Sequence, residues 1–243
     1  MSDSVPDPAA GEAGHPDDQQ RLPVTADVVE GEAVPALNDA ERQAADVLFG
    51  DRLRQAVKYV EHLCTTGISH GLLGPREVPR IWGRHVLNCA VLGPELPAGG
   101  TVADVGSGAG LPGLALALVR DDVEFTLIEP MERRVEWLDT VVRDVGISNV
   151  RVIRARAEEV GDEVLADVVT ARAVSALKKL IPMTFPLLDD ESELLFLKGR
   201  SAGAEIEAAQ KVLRRFRLNP PEIQLLGEEI LEEPTTVVRI RRQ

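Results

Sequence analysis

Residues 101–113 read Thr-Val-Ala-Asp-Val-Gly-Ser-Gly-Ala-Gly-Leu-Pro-Gly. An apolar run at 102–105 enters a turn with glycines at 106, 108 and 110. Such a turn bares backbone N–H groups and lets a ligand approach the main chain closely. Twenty-three residues after Gly106, the apolar run Phe125-Thr126-Leu127-Ile128 ends in Glu129. A carboxylate at that strand end can accept hydrogen bonds from both hydroxyls of a ribose. Together they describe a nucleoside-cofactor pocket. The glycine spacing is G-x-G-x-G, with Gly113 two residues too late for the dinucleotide fingerprint G-x-G-x-x-G. S-adenosylmethionine is therefore favoured over NAD. The plain alternative is a tight strand-to-helix turn with no ligand. Other chemistry is sparse. Two cysteines, Cys64 and Cys89, and four scattered histidines give no disulfide framework and no metal-ligand spacing, so no metal is expected.

The elements that would hold this pocket follow from the apolar periodicity. After Pro97-Ala98-Gly99-Gly100, strands are predicted over 101–106, 124–129, 150–155, 166–171, 193–198, 222–227 and 235–241. Helices are predicted over 110–119, with Pro112 in the first turn, and over 131–145, 176–188 and 203–215. Alternating strands and helices imply an α/β fold with a parallel sheet covered on both faces. The last two strands are too close for a crossover helix and should form an antiparallel hairpin. Ahead of the sheet, Asn38-Asp39-Ala40-Glu41 reads as a helix cap, with apolar positions 44, 47, 48, 53, 57, 60 and 63 at helical spacing. A loop over 67–79 and a helix over 81–92 complete this part.

Three regions result: a disordered acidic tail at 1–36, a helical N-terminal extension at 37–97 and a Rossmann-like domain at 98–243. The tail is rich in Pro, Gly, Ala and acidic residues and cannot bury enough apolar surface to offset its ordering entropy. The net charge of −13 is uneven: residues 1–50 hold 11 acidic and 2 basic side chains, and the remainder 29 and 25. The folded part is thus near neutral and can carry a basic face for nucleic acid. No apolar run reaches membrane-spanning length and no signal peptide opens the sequence, which predicts a cytoplasmic protein.

Several segments together resemble the bacterial 16S rRNA (guanine-N7) methyltransferase family, the glucose-inhibited division protein B family. They are Trp82-Gly83-Arg84-His85-Val86-Leu87, the cofactor loop from Asp104 through Leu111-Pro112-Gly113, and Arg133-Arg134-Val135-Glu136-Trp137-Leu138. Arg156-Ala157-Glu158-Glu159, Thr170-Ala171-Arg172-Ala173 and Leu197-Lys198-Gly199 also match, and the resemblance covers roughly 45–243. The family pattern has an acidic residue and a serine after the Arg-His pair, where this chain has Asn88-Cys89.

The resemblance implies a class I S-adenosylmethionine-dependent methyltransferase fold: a mostly parallel sheet ending in the antiparallel hairpin. It implies cofactor contacts at Gly106, Leu111, Ala157, Glu158 and Arg172, which join Gly108 of the turn and Glu129, placed for the ribose, as the expected cofactor-binding residues. Arg84, His85 and Arg172 become candidates for substrate positioning, and Arg84, Lys198 and Arg200 for RNA binding. The implied partner is 16S rRNA or the small ribosomal subunit, approached by a monomer. Guanine N7 carries a free lone pair, so no general base is required and catalysis rests on alignment and desolvation.

Plain readings stand beside these. Glu158 could be a solvated cap. Arg172 could pair with Asp104 or Asp167. His85 could be a buried, hydrogen-bonded histidine. Arg214, Arg215 and Arg217, and Arg239, Arg241 and Arg242, could be solvated faces. The rival functions are a methyltransferase of another substrate and a non-catalytic RNA-binding module on the same fold.

Overall fold

The computed structural model describes residues 1, 34–161 and 163–242. Residues 2–33 of the expected disordered tail lie outside them. The folded chain opens with the expected cap. The Asn38 side chain accepts the Glu41 N–H at 2.8 Å and the Glu41 carboxylate accepts the Asn38 N–H at 3.0 Å. Helix α1 (Asp39–Phe49) follows, then a 3-10 turn, α2 (Leu53–Cys64) and the single turn α3 (Thr66–Ser69).

The helical period is legible in this sequence, but its phase is not. Val47 and Val57, whose spacing predicts core positions, are 71% and 38% exposed. Ala45, Ala56 and Tyr59 are buried in their place. Small alanines let two helix backbones approach where a branched side chain would hold them apart.

The expected loop over 67–79 contains a 3-10 segment, Pro75–Arg80. The expected α-helix over 81–92 is wound as a π-helix at Ile81–Leu87 and regains α geometry only in α4 (Asn88–Ala90). Single widened turns of this kind are frequent at functional sites. Here the carbonyls of Arg84 and His85 also accept from the Arg172 side chain.

The sheet then runs β1 (Thr101–Val105), α5 (Gly113–Val119), β2 (Glu124–Ile128), α6 (Glu132–Val145) and β3 (Val150–Ile153). It continues with β4 (Val168–Arg172), α7 (Leu177–Thr184), β5 (Glu193–Lys198), α8 (Ala202–Arg215), β6 (Glu222–Leu226) and β7 (Thr235–Arg241). The strand order is β3-β2-β1-β4-β5-β7-β6. Strands β1 to β5 are parallel, and β7 runs antiparallel to both β5 and β6. This is the doubly wound sheet with a terminal antiparallel hairpin that the sequence pattern implies. Central strands such as Leu194-Leu195-Phe196-Leu197 are buried on both faces, which requires apolar layers on both sides. One layer carries α7 and α8 residues such as Leu180, Ala209 and Leu213. The other holds Leu114 and Leu116 of α5 and Trp137 and Leu138 of α6, continuous with Phe49, Tyr59, Trp82 and Leu92 of the N-terminal helices. The strand order, not the strand direction, reverses between β1 and β4, the place where a doubly wound sheet opens a crevice at its carboxyl edge.

Helix α5 starts later than expected. Pro112 precedes it as its cap residue, because the Gly113 N–H is taken by the buried Asp104 carboxylate at 3.1 Å.

Residues 34–36, which the sequence pattern assigns to the tail, are tied to this body. Val34 packs on the apolar core and the Pro35 carbonyl accepts the Trp82 indole N–H at 3.0 Å. Removing residues 1–33 should therefore leave the melting temperature unchanged. Removing residues 1–37 strands a buried indole donor, at about 1–3 kcal/mol. At about 2–4 °C per kcal/mol for a chain of this size, the melting temperature should fall by several degrees. Thermal melts of the two truncations check this.

Candidate cofactor turn and arginine-lined cavity

Gly106, Gly108 and Gly110 all take left-handed backbone conformations, with φ of 71°, 55° and 79°. The Glu129 side chain is buried against this turn. One oxygen accepts the Gly108 N–H at 3.0 Å and the other accepts the Met131 N–H at 3.0 Å, with Arg134 3.6 Å away. The carboxylate at the end of β2 therefore clamps the glycine turn after β1 to the start of α6. A Cβ built on Gly106 would lie 2.8 Å from Val174 Cγ2, whereas one on Gly108 meets nothing nearer than 3.7 Å. The turn is thus closed on its β4 side and open above Gly108. Leu111 is half-buried against the core, Ala157 is buried, and Glu158 is exposed without a hydrogen bond among the described residues. Its neighbour Glu159 does the capping, accepting the Arg156 N–H at 3.2 Å.

The sequence pattern does not single out Asp104 as a ligand residue, although it opens the Asp-Val-Gly-Ser-Gly-Ala-Gly run. It is fully buried, and one carboxylate oxygen has no hydrogen-bond partner among the described residues. Burial pushes its carboxyl up to about 7, against the Gly113 N–H that favours the charged form. An orphaned buried acceptor beside a glycine turn suits a ligand that brings a cationic donor. The amino group of S-adenosylmethionine is such a donor, so the residues present fit that cofactor.

Past Val174 lies a cavity of about 1180 Å³. Arg84, Arg172, Lys198 and Arg200 all line it, which brings the four expected cations to one mouth. They are not equivalent. The Lys198 ammonium is inside: it donates to the Ser175 carbonyl at 2.7 Å and to Glu205 at 2.9 Å, and its side chain is 9% exposed. Arg84 is exposed, 3.5 Å from Glu77, and Arg200 is exposed with no ion pair among the described residues. Glu232 and Glu233, on the β6–β7 connection, also line the cavity and are exposed.

Arg172 pairs with neither Asp104 nor Asp167. Asp167 instead accepts from the Thr101 N–H at 2.7 Å and hydroxyl at 2.9 Å. The Arg172 guanidinium donates to the His85 and Arg84 carbonyls, to Cys89 Sγ at 3.0 Å and to His85 Nδ1 at 2.8 Å. The plain reading of His85 therefore holds for its ring, which is largely buried and hydrogen-bonded on both nitrogens. Of the remaining arginines, Arg239, Arg241 and Arg242 are ion-paired to Glu95, Glu193, Glu222 and Asp190. Arg214, Arg215 and Arg217 are exposed, and none lines this cavity. Among the described residues no cluster of metal-binding side chains occurs, and no helix is long and apolar enough to cross a membrane.

The family described as GidB, rRNA small subunit methyltransferase G, matches residues 52–231. A ribosomal RNA small subunit methyltransferase G of Arthrobacter sp. (strain FB24) is 60% identical over 201 residues, covering 83% of this chain and 93% of its own. The protein of the same name from Streptomyces coelicolor is 50% identical over 199 residues, covering 82% and 83%.

Proposed function

Because the chain belongs to the GidB family of rRNA small subunit methyltransferases, we propose that it transfers a methyl group from S-adenosylmethionine to N7 of a guanine in 16S rRNA. The observation that carries this reading is the shared wall. Val174 lies against Gly106 of the cofactor turn and also lines the arginine-rich cavity, so the turn and the cavity are immediate neighbours. The cofactor supplies an electrophilic methyl group on a sulfonium.

The chain's residues do the rest. The glycine turn and Glu129 hold the nucleoside, with Leu111, Ala157 and Glu158 around it. Asp104 takes the cofactor's amino group. Arg172 faces the transfer opening. Arg84 and Arg200 attract the phosphates that flank a splayed-out guanine. The exposed carboxylates of Glu232 and Glu233 are suited to a purine that becomes cationic as N7 is methylated. The protein works as a cytoplasmic monomer in this reading. Mass spectrometry of 16S rRNA from cells with and without the gene tests it. A 7-methylguanosine that disappears with the gene and returns when purified protein and cofactor are added supports the assignment. Unchanged rRNA would favour another substrate or a non-catalytic RNA-binding role.

The cations separate by their surroundings. An Arg84→Ala, Arg200→Ala double variant should keep its melting temperature and cofactor affinity but bind rRNA weakly. The slope of log affinity against log salt should flatten by about 0.7–0.9 for each phosphate that is no longer neutralised. Lys198→Ala should behave differently. It leaves Glu205 without its ammonium, and removing one partner of a largely buried pair costs about 3–5 kcal/mol at most. A lowered melting temperature is expected, with RNA binding reduced only in step with folding. Melts and salt-series binding on the same preparations check both.

A further inference from the structure

Arg172 has no carboxylate partner among the described residues. Its guanidinium instead meets two carbonyls, a thiol sulfur and an imidazole nitrogen. The imidazole contact fixes the chemistry of His85. A guanidinium has only donors, so Nδ1 must be the acceptor and the ring proton must sit on Nε2. Nε2 is 2.8 Å from Glu77 Oε2, to which it donates. The three side chains therefore form a directional chain: Arg172 donates to His85, and His85 donates to Glu77. They come from three separate elements: the end of β4, the π-helical turn and the 3-10 segment before it. Glu77 also pairs with Arg80 at 2.7 Å and faces Arg84 at 3.5 Å, so its carboxylate is held as well.

Resting on the proposed function of Arg172 at the transfer opening, we propose that Glu77 is a positioning residue, which acts through neutral His85 to fix the Arg172 guanidinium at the wall of the cavity. The physical logic is that of an orienting carboxylate behind a histidine, with an arginine in the third place. Glu77 selects the tautomer, the tautomer presents a lone pair, and the lone pair holds one edge of the guanidinium. The two carbonyls of the widened turn and Cys89 hold the rest. Protonation of His85 would reverse the Nδ1 contact, placing an N–H against an N–H and a positive charge against a positive charge. The charged groups facing His85 are Glu77, Arg172 and Arg84. Burial first, and then the Arg172 charge, hold the imidazole below its ordinary value, while Glu77 alone pulls it up. The neutral form is thus the working form.

The test uses Glu77→Ala, Glu77→Gln and Arg172→Ala in the full-length protein. The readouts are melting temperature, cofactor affinity by calorimetry, kcat and KM on 16S rRNA or small subunits, and the pH profile of kcat from 5.5 to 8.5. Glu77→Ala should lower kcat by about tenfold or more, without raising KM for rRNA. Glu77→Gln, whose carbonyl still accepts from Nε2–H, should recover most of that loss. The acid limb of the profile should move to lower pH in both variants, because removing the carboxylate makes His85 harder to protonate. A structural role alone would lower the melting temperature and leave the acid limb where it was, and that result overturns the proposal. If Arg172→Ala is inactive while Glu77→Ala is fully active, the relay falls and the proposed function stands. If Arg172→Ala retains full activity, the role given to Arg172 falls and takes the relay with it.

Discussion

Gly106→Val is expected to abolish cofactor binding and to lower the melting temperature. Two costs act together. The backbone at this position has a φ of 71°, which a β-branched residue adopts only under strain of about 1–3 kcal/mol. The first added carbon also falls 2.8 Å from Val174 Cγ2, an overlap that forces the β4 loop outward at a further cost of about 1–3 kcal/mol. The sequence motif alone suggests that a side chain here fills cofactor space. The structure gives a different cause: the side chain collides with the wall between the cofactor turn and the cavity. A second substitution separates folding from binding. Gly108→Ala adds a carbon into open space, its nearest neighbour being the Gly106 carbonyl at 3.7 Å, so only the left-handed backbone opposes it. That costs about 1 kcal/mol. Its melting temperature should move by a few degrees only, while S-adenosylmethionine affinity falls by about tenfold or more if the space above Gly108 is where the nucleoside lies. Calorimetry and melts on both variants decide; normal affinity in Gly108→Ala would remove the nucleoside from that position.

The stability of the ligand-free protein should fall as pH rises from about 4 to about 7, and Asp104→Asn should remove much of that fall. Asp104 is held up to about 7 by burial, against an ordinary value near 3.8. Between those values the unfolded chain has released the proton and the native chain still holds it. Stability from this group is complete below the lower value and is lost as pH rises through the upper one. Three units correspond to about 4 kcal/mol at 1.36 kcal/mol per unit. Denaturant melts at pH 5 and pH 8 span about two of those units, so the difference between them should shrink by about 2–3 kcal/mol in Asp104→Asn. An equal slope in both proteins would remove Asp104 as its source. The same carboxyl links pH to ligand binding. If its orphaned oxygen receives the cofactor's cationic amino group, affinity should rise through pH 7 in the wild type and stay flat in the asparagine variant.

What the sequence determined is local. A strand, a glycine turn and a helix are written in adjacent residues, so β1, Gly106-Ser107-Gly108-Ala109-Gly110 and α5 were legible, and so was Glu129 one residue past β2. The β6–β7 hairpin followed from a linker too short for a crossover. Those features rest on backbone geometry and apolar period, which neighbouring residues set between themselves. The tertiary structure decided which side of each element faces what. Val47 and Val57 have core chemistry at helical spacing and point to solvent, because the alanines beside them allow closer packing. Strand β7 lies between β5 and β6, an order no local pattern carries. Lys198 and Arg200 read alike as RNA-facing cations, yet one is locked to Glu205 and Ser175 and the other is exposed. Arg172 had two carboxylates to choose from in sequence and took neither. Its partners lie more than eighty residues away on a π-helical turn and the short helix after it, where periodicity predicts ordinary α-helix. A side chain's type fixes what it can donate or accept. Its partner is fixed by the packing of distant elements, through burial that leaves each polar group only the partners the fold brings within reach.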